Sequence, residues 1–250
     1  MTEYIPLDRL PGTKAGTFIC WPVYSGEGAE DRLRQLRGLG VEAVALGGRH
    51  GILGHMVLGK GHVGVVLNAR WRGLDVALKA RRTDADRPSM MEEAEHIRQA
   101  NDAGVGPRLY CFSRDFIVME LVEGPYFREW AKTYDGDAEG FRSVVGEILR
   151  QVRSLDEAGL DHGELTKVRR HFILSGRGPV IIDFESASTG RRVQNVTATV
   201  QSMFINRRFS PVVHMWFPGV DKDRLLVALR RYKVELSDES FRGVLHVLGI

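Results

Sequence analysis

A chain of 250 residues with 43 % hydrophobic and 27 % charged residues has an ordinary globular composition, which excludes a wholly disordered chain and a collagen-like fibre. Its 35 Lys and Arg against 32 Asp and Glu leave a net charge of +3, too mild to mark a nucleic-acid binder by charge alone. The two cysteines, Cys20 and Cys111, form no CxxC, which excludes a disulfide scaffold and a four-cysteine zinc site.

Residues 1–50 are mixed. Met1 to Gly12 carries Glu3, Asp8 and Arg9 and no apolar core, so no signal peptide is expected. Pro6, Pro11 and Pro22 punctuate a piece that predicts a strand at Phe18–Trp21. A short helix fits Glu30–Leu39, with Leu33, Leu36 and Leu39 on one side and Gly38 and Gly40 ending it. Glu42–Leu46 predicts a strand. From His55 the chain turns β-rich: strands are expected at His55–Leu58, Val63–Trp71 and Leu74–Ala80, with Arg72-Gly73 as the tight turn between the last two. A helix follows at Ser89–Ala103, stopped by Gly104, and Phe116–Val122 is a further apolar strand.

The remainder is mainly helical. Phe141, Val144, Val145, Ile148, Leu149, Val152 and Leu155 keep a helical period, with Gly159 as the stop. Two short strands are expected at His171–Leu174 and Val180–Asp183. Helices then fit Val196–Phe204, Lys222–Tyr232 after Asp221 as N-cap, and Asp238–Leu248 after Ser237. No apolar stretch of the roughly 18 residues that a spanning helix needs occurs, so a soluble, cytoplasmic protein without membrane association is expected. A β-rich part before an α-rich part predicts an α+β fold with two lobes.

The glycines Gly59, Gly61 and Gly64 form a GxGxxG. A dinucleotide fingerprint needs a helix directly afterwards, but Val65–Trp71 reads as a strand. A Walker A loop needs Ser or Thr after Gly-Lys, but Gly61 follows Lys60. What remains is a hairpin loop whose glycines let backbone approach nucleotide phosphates. One hairpin later comes Val76-Ala77-Leu78-Lys79, which resembles the VAIK strand of the protein-kinase superfamily. A helix carboxylate must hold such a lysine; Glu93 is the choice, with Glu92 and Glu95 as rivals.

The resemblance continues in order. Ile117 to Gly124 is similar to a kinase gatekeeper and hinge, which implies that Met119 faces adenine and that the backbone of Glu120 and Val122 hydrogen-bonds it. His162-Gly163-Glu164-Leu165 stands where an HRDL or HGDL catalytic loop belongs, and Ile182-Asp183-Phe184-Glu185 where the metal-binding IDFG belongs. These motifs cover residues 59–185. Glu93-Ala94 leading to Ala100-Asn101-Asp102-Ala103-Gly104-Val105, the HG at the catalytic loop and the compact C-terminal part resemble the atypical RIO/KEOPS-kinase-like branch, specifically an archaeal group of predicted Ser/Thr kinases. The resemblance implies a two-lobed kinase-like fold: residues 1–50 as an N-terminal extension, 51–120 as the N-lobe and 121–250 as a minimal C-lobe. It further implies ATP bound by Gly59, Gly61, Gly64, Val66, Ala77, Lys79, Glu93, Met119, Glu120 and Val122. Lys79, Asp183 and Glu164 would be catalytic, the last as base, and Mg²⁺ or Mn²⁺ would be held by Asp183 and His171. A protein substrate is expected.

Departures accompany it. Glu164 replaces the Asp base, and Arg169 stands where the metal-ligand Asn is expected five residues on. His171 precedes Phe172-Ile173-Leu174, as that Asn would; an imidazole there is either a metal ligand, better suited to Mn²⁺ or Zn²⁺ than to Mg²⁺, or a structural support for the loop. Glu185 replaces the glycine of the IDFG, as in choline kinases. Two alternative functions follow: a small-molecule kinase of the aminoglycoside or choline type, motivated by HG and IDFE, or a non-catalytic or ATPase module in an RNA or protein assembly, motivated by Glu164 and His171. Arginine outnumbers lysine 28 to 7. The pairs Arg169-Arg170 and Arg191-Arg192 flank the expected site, but without interleaved aromatics they are weak support for an RNA partner.

Overall fold

The computed structural model describes residues 3–250 and divides them into two compact units: the chain up to Arg98 with Pro107–Leu121, and Gln99–Gly106 with Val122–Ile250. The fold is α+β, with a β-sheet lobe and a helical part.

The first unit holds β1 (Ile5–Pro6), α1 (Lys14–Ile19), α2 (Gly26–Leu39), β2 (Val41–Ala45), β3 (His50–Ile52), β4 (His55–Val57), β5 (Gly59–Lys60), β6 (Gly64–Trp71), β7 (Leu74–Arg81), α3 (Met91–Asp102, whose last turn belongs to the second unit), β8 (Leu109–Phe112) and β9 (Phe116–Glu120). Seven of the strands form one antiparallel sheet in the order β1-β2-β6-β7-β9-β8; β5 pairs the start of β6, and β2 pairs its end. The Arg72-Gly73 turn joins β6 to β7 as expected, both residues having positive φ (+49° and +75°), the backbone of a primed two-residue hairpin.

The pleat sends alternate residues to opposite faces. Val65, Leu67 and Ala69 of β6, Val76, Leu78 and Ala80 of β7, and Phe116 and Val118 of β9 share a buried core with Phe18, Ile19, Leu33 and Leu36 of the two N-terminal helices. Residues 3–46 thus give the sheet two strands and cover one of its faces. Where the sequence predicts a strand at Phe18–Trp21, the structure has α1 and a turn. Thr13 caps the helix by accepting from the Gly16 amide at 3.1 Å, and four consecutive apolar residues cannot tell a short buried strand from a helix turn.

A buried carboxylate ties α2 to the sheet. Asp115, fully buried, accepts from Arg32 (3.3 Å), Arg81 (2.7 Å), Gln35 (2.7 Å) and Arg114 (2.8 Å). Burial pushes the Asp115 carboxyl up, but hydrogen bonds from Gln35 and Arg114 and the charges around it prevail and hold it below the usual range.

The second unit comprises α4 (Phe127–Thr133), α5 (Ala138–Glu157), α6 (Val168–His171), β10 (Phe172–Ser175), β11 (Gly178–Ile181), α7 (Asn195–Val200), α8 (Ser210–His214), α9 (Lys222–Glu235) and α10 (Asp238–Leu248). Asp137 caps α5, whose Phe141, Val145, Ile148, Leu149, Val152 and Leu155 are buried. Asp221 and Ser237 cap α9 and α10 as expected. The helix expected over Val196–Phe204 is α7 followed by one wider π turn, Gln201–Ile205. The second short strand ends at Ile181, two residues before its expected end, releasing Asp183 from the ladder. The sequence pattern does not reveal helices α4 and α8; Phe127 and Trp130 of α4, Phe141 of α5 and Trp216, just past the end of α8, stack in series at 5.1–5.9 Å. No helix among the described residues is long and apolar enough to cross a membrane.

Candidate active site

In the first unit the glycine motif closes a hairpin. Gly59 pairs with Val66 and Lys60 with Val65, and the Gly61 amide donates to the Gly64 carbonyl at 2.8 Å. The register then sets Lys79 between Val66 and Ile117, and Ala77 between Asn68 and Met119. Cross-strand partners share a face, so Val66, Ala77, Lys79 and Met119 all lie on the face opposite the N-terminal helices. Gly64 is on that face too. A Cβ there would stand 2.9 Å from Lys79 Cε and 3.1 Å from the Ala80 carbonyl, so a larger residue would push the lysine stem aside.

Lys79 Nζ donates to Glu93 Oε1 at 2.6 Å, and both side chains are nearly closed to solvent, at 4 % and 1 % exposure. Glu93 lies in the first turn of α3; its rivals point elsewhere, Glu92 being exposed and Glu95 exposed and paired with Arg98. Burying two charges costs several kcal/mol, and an apolar pair of similar volume would stabilise as well or better. A folded chain gains little from such a pair, which points to a task for the lysine. At the end of β9 the Glu120 amide already donates to the Arg108 carbonyl at 2.8 Å. It is therefore the Glu120 carbonyl, not its amide, that the hinge expectation can use. Val122, half-buried, is the first residue of the chain's return into the second unit.

In the second unit the loop after α5 is held from behind. Asp156 accepts from the Asn195 amide and side chain, both at 2.9 Å, and from Tyr232 Oη at 2.7 Å; Asn195 Oδ1 in turn accepts the His162 amide at 2.8 Å. Burial outweighs these bonds and leaves the Asp156 carboxyl raised. Asp161 and Ser188 exchange backbone hydrogen bonds, and Arg191 Nε donates to Asp161 at 3.1 Å. His162 is fully buried and its Nε2 is 3.1 Å from the Ile182 carbonyl. A carbonyl only accepts, so Nε2 carries the proton. Burial, then the neighbouring His171, push its pKa down to about 4, so the ring is neutral at pH 7 and fixes the residue before Asp183. The glycine of the HG pair has φ +85°, and a Cβ on Gly163 would lie 2.5 Å from the Ser186 carbonyl; an arginine there has no room.

Glu164 stands about a third exposed. Its Oε1 accepts from Ser186 Oγ at 3.0 Å and its Oε2 from Lys167 Nζ at 3.1 Å. Partial burial would raise this carboxyl; the hydrogen bonds from Lys167 and Ser186 prevail and hold it below the usual range, ionised at neutral pH. The stretch from Leu165 to His171 is a 3₁₀ turn and α6. It places the half-buried Arg169 on α6 and turns the buried His171 so that Nε2 lies 3.5 Å from Glu164 Oε2. Burial keeps His171 below its ordinary pKa. Asp183 is exposed and takes φ +70°, a conformation that is uncommon outside glycine and costs free energy unless its surroundings enforce it.

Among the described residues no three His, Cys, Asp or Glu side chains converge as a metal cage. Magnesium commonly takes only one or two carboxylates and completes its shell with substrate phosphates and water. An exposed Asp183 carboxylate fits that use. Ser186, Lys167 and Asn195 are residues of this region that sequence reasoning misses, and Arg191, singled out only as half of a basic pair, is fixed on Asp161. Their partners lie up to 39 positions away, and only the proximity of Ser186 to the Asp183 motif could have drawn attention to it.

No family model matches the chain. Bud32, a subunit of the KEOPS complex in Pyrococcus abyssi, is 29 % identical over 155 residues, 60 % of this chain and 65 % of its own length. An uncharacterised protein of Methanocaldococcus jannaschii is 27 % identical over 95 residues, 38 % of this chain and 79 % of its own length. Human mitogen-activated protein kinase kinase kinase 7 is 34 % identical over 70 residues, 27 % of this chain but only 11 % of that protein. The chain thus spans under two thirds of both the Bud32 and the human relative. In sequence and in fold it is kinase-like.

Proposed function

We propose that this chain is an ATP-dependent phosphotransferase that acts on serine or threonine hydroxyls of a protein. The buried Lys79–Glu93 pair, on the sheet face that also carries Gly64, Val66, Ala77 and Met119, is the observation that carries this reading. Glu93 holds Lys79, whose ammonium neutralises the α- and β-phosphates. Val66, Ala77 and Met119 form an apolar bed for adenine, and the hairpin of Gly59, Gly61 and Gly64 covers the phosphates. The Glu120 carbonyl and the Val122 backbone meet the adenine edge. Asp183 holds a divalent cation, Mg²⁺ or Mn²⁺, which would neutralise charge on the phosphates. Glu164, ionised, orients the acceptor hydroxyl and takes its proton. His171, facing Glu164, supports the loop.

Thermal unfolding with ATP and either cation tests the nucleotide half: stabilisation is expected, and Lys79→Ala should abolish it. Labelled ATP tests the transfer half. Label on protein in the wild type and none in Lys79→Ala is the expected result; an unmoved melting curve and no transfer with any divalent ion would overturn the proposal.

One observation favours a second reading. Glu164 is longer than aspartate and already engaged by Lys167 and Ser186, and the Pyrococcus relative is named as a subunit of a complex. A nucleotide-binding or ATPase module within an assembly would then show the melting shift and slow ADP release with no acceptor labelled. A metabolite screen following ADP release separates either reading from a small-molecule kinase.

A further inference from the structure

A phosphotransferase base is recognised by an acceptor hydroxyl that donates to it within hydrogen-bonding reach. Such a hydroxyl is already present. Ser186 Oγ donates to Glu164 Oε1 at 3.0 Å. Ser186 lies three residues after Asp183, and the segment around it is fixed at several points. The Ala187 amide donates to the Phe184 carbonyl at 3.0 Å, the Arg191 guanidinium donates to the Ser186 carbonyl at 2.5 Å, and Ser188 pairs with Asp161. Gly163, with no side chain, lets the Ser186 carbonyl approach the loop that carries Glu164. The serine is half-buried, so its contact with Glu164 is built by the fold. An external hydroxyl would have to displace it.

We propose that Ser186 is an intramolecular phosphate acceptor whose modification shuts down the same site. The proposal rests on the phosphotransferase reading above and adds its regulation. In the step, Glu164 takes the Ser186 hydroxyl proton and Oγ forms a bond to the γ-phosphorus of ATP. The bond between that phosphorus and the β,γ-bridging oxygen breaks, and ADP leaves with the electron pair. The product carries close to two negative charges and no hydroxyl donor. It repels Glu164 and draws the nearby cations: Arg191, already on the Ser186 carbonyl, and Lys167, already on Glu164. Glu164 loses its donor and its lysine together, so an external acceptor meets a base that is no longer aligned.

The experiment incubates the full chain with ATP and Mg²⁺ or Mn²⁺ and follows intact mass and phosphopeptides, with casein as external acceptor. The expected result is one phosphoryl group on Ser186, gained at a rate independent of protein concentration. Ser186→Ala should lose that group and label casein faster, and Ser186→Thr should regain a group at the same position. Phosphate on other residues with Ser186 unmodified would overturn the proposal, as would a rate that rises with protein concentration. ATP-dependent stabilisation with ADP release but no phosphoprotein would overturn it while leaving nucleotide binding standing. No stabilisation and no transfer at all would overturn the phosphotransferase reading, and this inference with it.

Discussion

Lys79 and Glu93 meet at 2.6 Å in a place almost closed to water, where little solvent can replace a lost counter-charge. Lys79→Met takes the paired ammonium from a buried carboxylate, and should cost about 3–5 kcal/mol of stability. Adding Glu93→Leu to it should return most of that loss, because two apolar groups need no partners. ATP-dependent stabilisation should return in neither. Denaturant unfolding with and without nucleotide separates the two effects; full recovery of both in the double variant would show that the pair serves only packing. His162 gives a pH dependence of definite sign. Its pKa is about 4 folded against 6.5 unfolded, so the unfolded chain binds more protons between these values. Stability therefore falls as pH drops through that window, by about 2 kcal/mol at pH 5 relative to neutrality. His162→Gln, whose side-chain amide can still donate to the Ile182 carbonyl, should flatten this acid limb in equilibrium unfolding curves.

At the scale of elements, the loop after α5 depends on one glycine. Gly163→Ala combines a left-handed φ of +85° with a Cβ 2.5 Å from the Ser186 carbonyl, and should cost about 1–3 kcal/mol. Because the strain falls between Glu164 and the segment after Asp183, transfer activity should fall further than stability does; an unaltered rate would show that the loop relaxes without cost. Elements of this kind divide by what the sequence can reveal. The β6–β7 hairpin was legible because Arg72-Gly73 carries its own turn chemistry, and α5, α9 and α10 because their caps and apolar stripes are local. The contact of Lys79 with Glu93 was legible through the order of motifs. Helix α1 was not, since Phe18–Trp21 is apolar throughout and its burial comes from α2 and the sheet. Strand β8 was not, because its half-buried residues show no alternation. The contacts of Ser186 with Glu164 and of Asn195 with His162 were invisible for a different reason: hydrogen bonds between distant loops leave no period in a sequence.

Taken whole, the first unit is assembled from segments far apart in the chain. Residues 3–46 close one face of the sheet, and Arg32 reaches Asp115 across 83 positions. Removing the chain before Gly47 would bare Val65, Leu67, Val76, Leu78 and Val118, an apolar face that should drive the remainder into aggregates. A milder version is Leu36→Ala, expected to cost about 2–5 kcal/mol in denaturant unfolding; a loss near zero would mean that α2 rests on the sheet without supporting it.

That N-terminal covering also fixes the order of events during synthesis. Helix α2 and β2 leave the ribosome long before the groups they need. The edge of β2 stays unpaired until β6 emerges, and Arg32 has no carboxylate to meet until Asp115 follows. At about 5–20 residues per second the interval between Arg32 and Asp115 lasts roughly 4–17 s. For that time the nascent chain presents an unfinished apolar face. The first unit can therefore close only near the end of its own translation, and the burden of keeping the early segment soluble falls on the charged face of α2 and on whatever chaperone attends the ribosome exit.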